Sequence, residues 1–253
     1  MTDKLKENIE MIPLEHVSAS ALSEFSKNEY WFYTKYILWI WDNKTTYSLM
    51  MWDACHYWIE LIRRKLKELY ITDDTWEDLK MNDNSWENMK KEFEDKEINE
   101  IIWMVLKKIE YDRLHKIFDL PKKKDKDTML QDTEITIRWY FNELPRLKPL
   151  YIEQNILSPF NWLIPLKWII DLVAENILWE IVIVDHKTAT SGYQVKDESI
   201  YQRFDLQWAN YFILIKSLWL EPHHIEFHQC LKWDIKPTLL KKWMVKHSFE
   251  VSV

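Results

Sequence analysis

Two aspartates and a lysine near the middle of the chain have the types and spacing that phosphodiester hydrolysis needs. The run KWIIDLV puts Asp171 near the end of one strand-like segment, and EIVIVDHKTAT puts Asp185 near the end of the next. In an extended strand, Asp185 and Lys187 project from one face and His186 from the other. Two carboxylates can hold a hard cation through oxygen. The cation polarises a phosphate and acidifies a bound water, while a nearby lysine orients that water or stabilises developing charge. An Asp-x-Lys pair alone is common, however, and fits a surface hairpin equally well.

The elements around these residues change period along the chain. Residues 18 to 36 open with serines able to cap a helix and continue with Ala21, Leu22, Phe25, Phe32, Tyr33 and Tyr36, an amphipathic helix with an aromatic exit. Residues 48 to 70 predict a second helix carrying His56. The stretch from about 73 to 127 is charged and helical in period and reads as a helical insertion closing in the lysine-rich PKKKDKD. Strands are predicted for Thr133 to Phe141 (TEITIRWYF), Leu150 to Leu157, and residues 166 to 173 and 180 to 187, the last two as a hairpin. Residues 199 to 218 predict a helix, and Ile225 to Lys232 and His247 to Val253 late strands. The strand-like end, HSFEVSV, reads as a truncated C-terminus of a single domain.

The chain has 253 residues, of which 47% are hydrophobic, enough to bury a core. A net charge of −7 argues against a generally basic surface, so phosphate binding would depend on a local groove or on metal ions. Arg63, Arg64, Lys65 and Lys67, and Lys122, Lys123, Lys124 and Lys126, could be contact surfaces or solvated faces. A charged N-terminus and the lack of a long apolar run predict a cytoplasmic protein. Cys55 and Cys230 are too few for a disulfide framework or a four-thiolate cluster.

One Gly against 16 Trp is abnormal, since about 18 glycines would be usual for this length. The two counts together come close to that number, and Trp41, Trp179, Trp219 and Trp233 fall at turns or element ends where glycine is expected. Some bacterial codes read UGA as glycine and others as tryptophan, so a translation mismatch would produce this exchange. The alternative is a tryptophan-rich chain that uses the rings for core packing or base stacking.

Four motifs stand in order: His56 in WDACHYWIEL, Asp171 in WIID, Asp185-His186-Lys187-Thr188, and Gln207 to Tyr211 in LQWANY. With this set the sequence resembles the RecB-like and Cas4-like exonuclease branch of the PD-(D/E)XK nuclease superfamily, over roughly residues 16 to 60 and 150 to 218. The resemblance implies an α/β restriction-endonuclease-like core with a central mixed sheet flanked by helices. It implies a Mg²⁺-dependent deoxyribonuclease, with Mn²⁺ as the alternative ion. Asp171, Asp185, Lys187 and Glu153 would be catalytic, Glu153 as a supporting carboxylate on the preceding strand. His56, Asp171, Asp185 and the backbone carbonyl of His186 would bind metal. Gln207 and Tyr211, four residues apart on one helix face, would contact the DNA backbone or support the metal site.

The family's glycines before the histidine and the first aspartate fall on Trp52 and Trp168. The four cysteines of the iron–sulfur branches are missing, so no iron–sulfur cluster is expected. His223, His224, His228 and Cys230 lack the usual spacing of a zinc site. By the same resemblance the partners are DNA and helicase or recombination proteins, not a membrane, and the setting is exonuclease action in DNA repair, recombination or phage replication. The alternative is a non-catalytic DNA-binding or assembly module of the same fold.

Overall fold

In the computed structural model, described over residues 17–38, 40, 45–115, 118–119, 126–158, 165–189, 210–231 and 244–250, a two-residue strand β1 (Val17–Ser18) leads straight into helix α1 (Ala19–Lys27). The Ser18 hydroxyl caps α1, accepting from the Ala21 N–H at 3.2 Å. Asn28, in extended backbone, breaks the expected single helix and caps α2 (Glu29–Phe32) by accepting from Tyr30 and Trp31. Strand β2 (Thr45–Thr46) pairs in parallel with β3 (Phe118–Asp119) and precedes the long helix α3 (Tyr47–Lys65). Then follow α4 (Asp73–Met81), started by a reciprocal Thr72–Thr75 capping box, α5 (Asp83–Phe93), capped by Asn82, and α6 (Asn99–His115).

The segment expected as a strand over Thr133 to Phe141 is instead part of helix α7 (Lys126–Asn142). Its β-branched Thr and Ile residues imitate alternation. The buried set is Thr133, Thr136, Ile137, Tyr140, Phe141 and Leu144, spaced by three and four, which is one stripe of a helix. The helical stretch therefore runs past residue 127 to Asn142. Helices α3 to α7 share one apolar core that includes Ile62, Phe93, Ile101, Val105, Ile137 and Phe141.

The sheet is mixed and six-stranded, built from β1, β4 (Lys148–Ser158), β5 (Leu166–Glu175), β6 (Ile181–Ala189), β7 (Pro222–Leu231) and β8 (Met244–Glu250). β4 runs antiparallel along one edge of β5. The other edge of β5 takes β1 in parallel at Leu166 and Lys167, and β6 antiparallel from Leu172 to Glu175. β7 lies parallel to β6, and β8 antiparallel to β7. Val182, Ile183, Val184, Asp185 and His186 are all buried, so β6 is covered on both faces. One cover is helix α8, described over residues 210–217, whose Tyr211, Leu214 and Ile215 pack with Ile170, Val173 and Ile183. No described helix is long and apolar enough to cross a membrane.

Among the described residues, the non-glycine positions with positive φ are Glu153 (46°), Trp179 (67°) and Trp219 (62°). Trp179 closes the β5–β6 turn, where its N–H donates to the Asn176 carbonyl, and Trp219 follows α8. Left-handed backbone costs an L-residue with a Cβ and is ordinary for glycine. Both rings are exposed, Trp219 at 95%. Trp58, Trp76 and Trp86 behave differently, each buried in the helical core. Trp41 and Trp233 lie outside the described residues.

Candidate metal centre

The hairpin of β5 and β6 opens into a fork. Its last strand pair is Leu172 with Val184, and the next residue on each arm is Asp171 and Asp185. Beyond that point β6 continues against β7 alone, through Ala189. A strand that leaves its partner exposes backbone groups that need new partners. Here the His186 N–H donates to Asp171 Oδ2 at 2.7 Å, so the carboxylate bridges the mouth of the fork.

A kink in the neighbouring strand supplies another carboxylate. Glu153 stands between the pairs Ile152–Leu172 and Gln154–Ile170, across from Asp171, with its backbone in the left-handed region. The regular alternation of faces breaks there. Ile152 and Leu172 pack in one apolar cluster, while Ile156 and Ile170, an even number of residues away on the same strands, pack in another. Left-handed backbone at a residue with a Cβ is a local cost of the kind that gathers at working sites. Helix α3 and the π-helical turn that continues it (Leu66–Tyr70) brace this kink, since Arg64 donates to the Ile152 carbonyl at 3.5 Å and Lys67 to the Leu150 carbonyl at 2.5 Å.

The same helix delivers His56. Its Nδ1 lies 3.5 Å from Glu153 Oε1 and 3.6 Å from Asp171 Oδ2. Ligand atoms of His56, Glu153 and Asp171 all fall within 4.8 Å of one another. Metal–ligand bonds of about 2.0–2.6 Å would let a single cation reach all three. The donor set of two carboxylates and an imidazole suits a divalent ion, so these residues fit the metal implied by the resemblance. Glu153, expected only in support, therefore stands at ligand distance. The ring of Trp52, at the family's glycine position, lies 4.3 Å from the His56 ring.

Electrostatics agree with a cation site. Burial opposes charge on His56, but the hydrogen bond to Glu153 and the negative charges of Asp171, Glu153 and Asp185 outweigh it and raise its pKa to about 9. Burial also raises the Glu153 carboxyl, against the pull of His56. His186 goes the other way: full burial lowers its pKa to about 4 despite Asp171, so the ring is neutral. Without metal, then, a proton on His56 holds part of the charge a cation would supply.

Asp185 is held from the opposite layer. The Tyr211 hydroxyl donates to Asp185 Oδ1 at 2.5 Å, and the Tyr211 ring packs edge-on against Trp168 at 5.8 Å. Tyr211 is 1% exposed, with its hydroxyl directed at the Asp185 carboxylate. Lys187 lies on β6 opposite Gln229 of β7, and Gln207 lies outside the described residues. The histidines of β7 are engaged elsewhere: His224 Nε2 is 2.9 Å from Glu180, His228 Nε2 is 2.8 Å from Glu226, and His223 Nδ1 accepts from the Ile181 N–H.

Two further residues reach the site: Tyr140, which was not foreseen, and Arg63, which was expected on a contact surface or solvated face and is instead buried. Tyr140 of α7 sits with its hydroxyl 3.4 Å from His186 Nε2, and Arg63 of α3 lies 3.5 Å from that hydroxyl. Arg63 stands seven residues after His56, on the same helix face. Tyr140 falls in the segment whose period reads as a strand.

A fork that presents one aspartate on each arm, beside an acidic kink and a helix-borne histidine, is a constellation that compositional accident does not explain. No curated protein matches the chain in sequence. A family model described as the PD-(D/E)XK nuclease superfamily matches residues 16–247, from just before β1 into β8. The match takes in every element that builds the fork, and the chain belongs to the PD-(D/E)XK nuclease superfamily.

Proposed function

We propose that this nuclease is a metal-dependent deoxyribonuclease acting at the β5–β6 fork, with DNA as its substrate. The observation that carries the reading is the convergence of His56, Glu153 and Asp171 within the reach of one cation, next to Asp185. Those residues and the His186 carbonyl would hold Mg²⁺ or Mn²⁺, and the nitrogen ligand favours Mn²⁺ more than an all-oxygen site would. When bound, the ion supplies positive charge that polarises the scissile phosphate and acidifies a water. Asp171 is fixed by a backbone N–H and Asp185 by a tyrosine hydroxyl, so neither carboxylate has to reorganise for cleavage. Lys187, two residues beyond Asp185 on β6, is the residue we assign to orienting the attacking water. We further propose exonuclease action in DNA repair, recombination or phage replication in the cytoplasm, beside helicase or recombination proteins.

The test is digestion of matched linear and covalently closed circular DNA with Mg²⁺, Mn²⁺ or chelator, using the Asp185→Asn variant as control. Metal-dependent loss of the linear form alone supports the exonuclease reading. Loss of both forms makes the enzyme an endonuclease. Folded protein that binds DNA with metal present and cuts neither form overturns the catalytic reading in favour of an assembly module.

A further inference from the structure

On the β5 side of the fork, toward Leu166, the sheet turns two branched aliphatic side chains to solvent. Leu157 of β4 is 60% exposed and Ile169 of β5 is 52% exposed. Strand register fixes where they stand. Asn155 pairs with Ile169 and Leu157 with Lys167, so these four side chains share one face of the sheet. The alternate residues Ile156, Trp168 and Ile170 are buried with Tyr211 and Leu214 of α8, so the shared face is the one turned away from α8. Asp171 follows Ile169 by two residues and carries that face into the metal cluster, where Glu153 stands on the neighbouring strand.

Strand geometry gives the spacing. From Asp171, Ile169 is about 6.7 Å along β5 and Lys167 about 13 Å, while Leu157 lies diagonal to Ile169 at about 7–8 Å. A short shelf therefore begins at the metal ligands, is apolar in its middle and ends at a cation. None of its residues is tryptophan, so it does not depend on which residue the natural chain carries at the indole positions.

Apolar area in water gains free energy when something covers it. Single exposed aliphatics are ordinary, but this pair shares its face with the metal ligands, so a phosphate bound at the cluster brings its neighbouring nucleotides over the shelf. A duplex hides its base faces in the stack and presents phosphates, sugars and groove edges. An unpaired strand exposes base faces, which lie well against apolar side chains. Lys167 then supplies positive charge for the backbone of that strand.

We propose that Leu157 and Ile169 form a shelf for an unpaired DNA end, with Lys167 holding its backbone, so that the nuclease prefers single-stranded or tailed DNA to blunt duplex. The inference deepens the nuclease reading and rests on it. The competing occupant is a second protein chain, which predicts a change in association and not in DNA affinity.

The experiment uses the full chain in chelator, where binding is read without cleavage. Fluorescence anisotropy should show a labelled oligothymidylate of about 15 nucleotides bound about 10-fold more tightly than a blunt hairpin duplex. The Leu157→Ser, Ile169→Ser double variant, altered at exposed positions, should bind the oligothymidylate about 10-fold more weakly and lose the preference. The Leu157→Met, Ile169→Val double variant should keep it. Lys167→Gln should weaken binding and lower the salt slope by about 1. With Mn²⁺ added, the KM of the first double variant for tailed DNA should rise more than its kcat falls. Failure of wild type to bind oligothymidylate, equal binding of both probes, or an unchanged preference in the folded first double variant overturns the shelf. A fall in the Mn²⁺ affinity of that variant also overturns it, because the side chains would then be serving the metal cluster. Altered sedimentation with unchanged DNA affinity assigns the face to a protein contact instead. Wild type that binds oligothymidylate with the stated preference but cuts no DNA with Mn²⁺ sinks the nuclease reading and leaves the shelf standing.

Discussion

Asp171 and Asp185 leave the same hairpin at the same point, yet the two arms of the fork hold them in opposite ways. Asp171 sits on the charged side. It has the His186 backbone N–H at 2.7 Å, and His56 and Glu153 complete a cluster in which a proton on His56 would compete with a cation. Asp185 sits on the apolar side, against a hydroxyl backed by Trp168 and the α8 core. A backbone donor survives every substitution except proline, whereas the Tyr211 hydroxyl is lost in a change to phenylalanine. The first arm should therefore carry the sensitivity to pH and metal, and the second should be open to damage by loss of one oxygen atom.

The most severe way to probe this contrast is Asp185→Asn. On the proposed reading, loss of a carboxylate that would help hold the cation removes several kcal/mol of charge stabilisation, so single-turnover cleavage should fall on the order of 1,000-fold with the fold intact. A variant with near wild-type cleavage would show that the charged arm suffices alone.

The next effect is on pH. In the metal-free protein His56 titrates near 9, above its ordinary value of 6.5, so its contribution is fully present below pH 6.5 and is lost as pH rises toward 9. That span corresponds to a contribution on the order of 3 kcal/mol. His186 titrates near 4, below its ordinary 6.5, so its contribution is present above pH 6.5 and fades as pH falls toward 4. Urea unfolding across this range should show a stability maximum near pH 6.5, and His56→Gln should flatten the alkaline limb alone. An alkaline limb unchanged in His56→Gln would break the assignment.

Smaller again is Tyr211→Phe, which strips Asp185 of its donor. Second-layer losses of this type cost about 10- to 100-fold in metal affinity or activity. A titration of cleavage against Mn²⁺ should shift accordingly, while the alkaline stability limb stays as in wild type. The smallest effect belongs to Trp219→Gly, remote from both arms. It should add about 1 kcal/mol to the unfolding free energy by relieving left-handed backbone, with Mn²⁺ affinity unchanged.

The carboxylates of the fork are legible in the sequence because each ends an apolar run that can only be a buried strand, and the hairpin forms as expected over β5 and β6. His56 carries no local sign of its function and becomes a candidate through motif order. Glu153 is legible as an acid upstream, but its place at ligand distance from His56 and Asp171 comes with a left-handed kink that no spacing rule announces. The α7 segment misleads because Thr and Ile favour strands locally, while its burial follows three- and four-residue steps set by tertiary packing. Tyr140 and Arg63 are hidden for the same reason: the partners lie 77 residues apart in sequence, and Tyr140 lies 46 from His186.

The turns at Trp179 and Trp219 make the protein obtained depend on the ribosome that reads its gene. If their codons are UGA in an organism that inserts glycine, a conventional expression host would either stop there or, with a tryptophan suppressor, place an indole where the turn has room for hydrogen. Protein isolated from its own cells would then absorb and fluoresce far less in the near ultraviolet than its written sequence implies. An absorbance spectrum set against amino-acid analysis would reveal which chain nature makes.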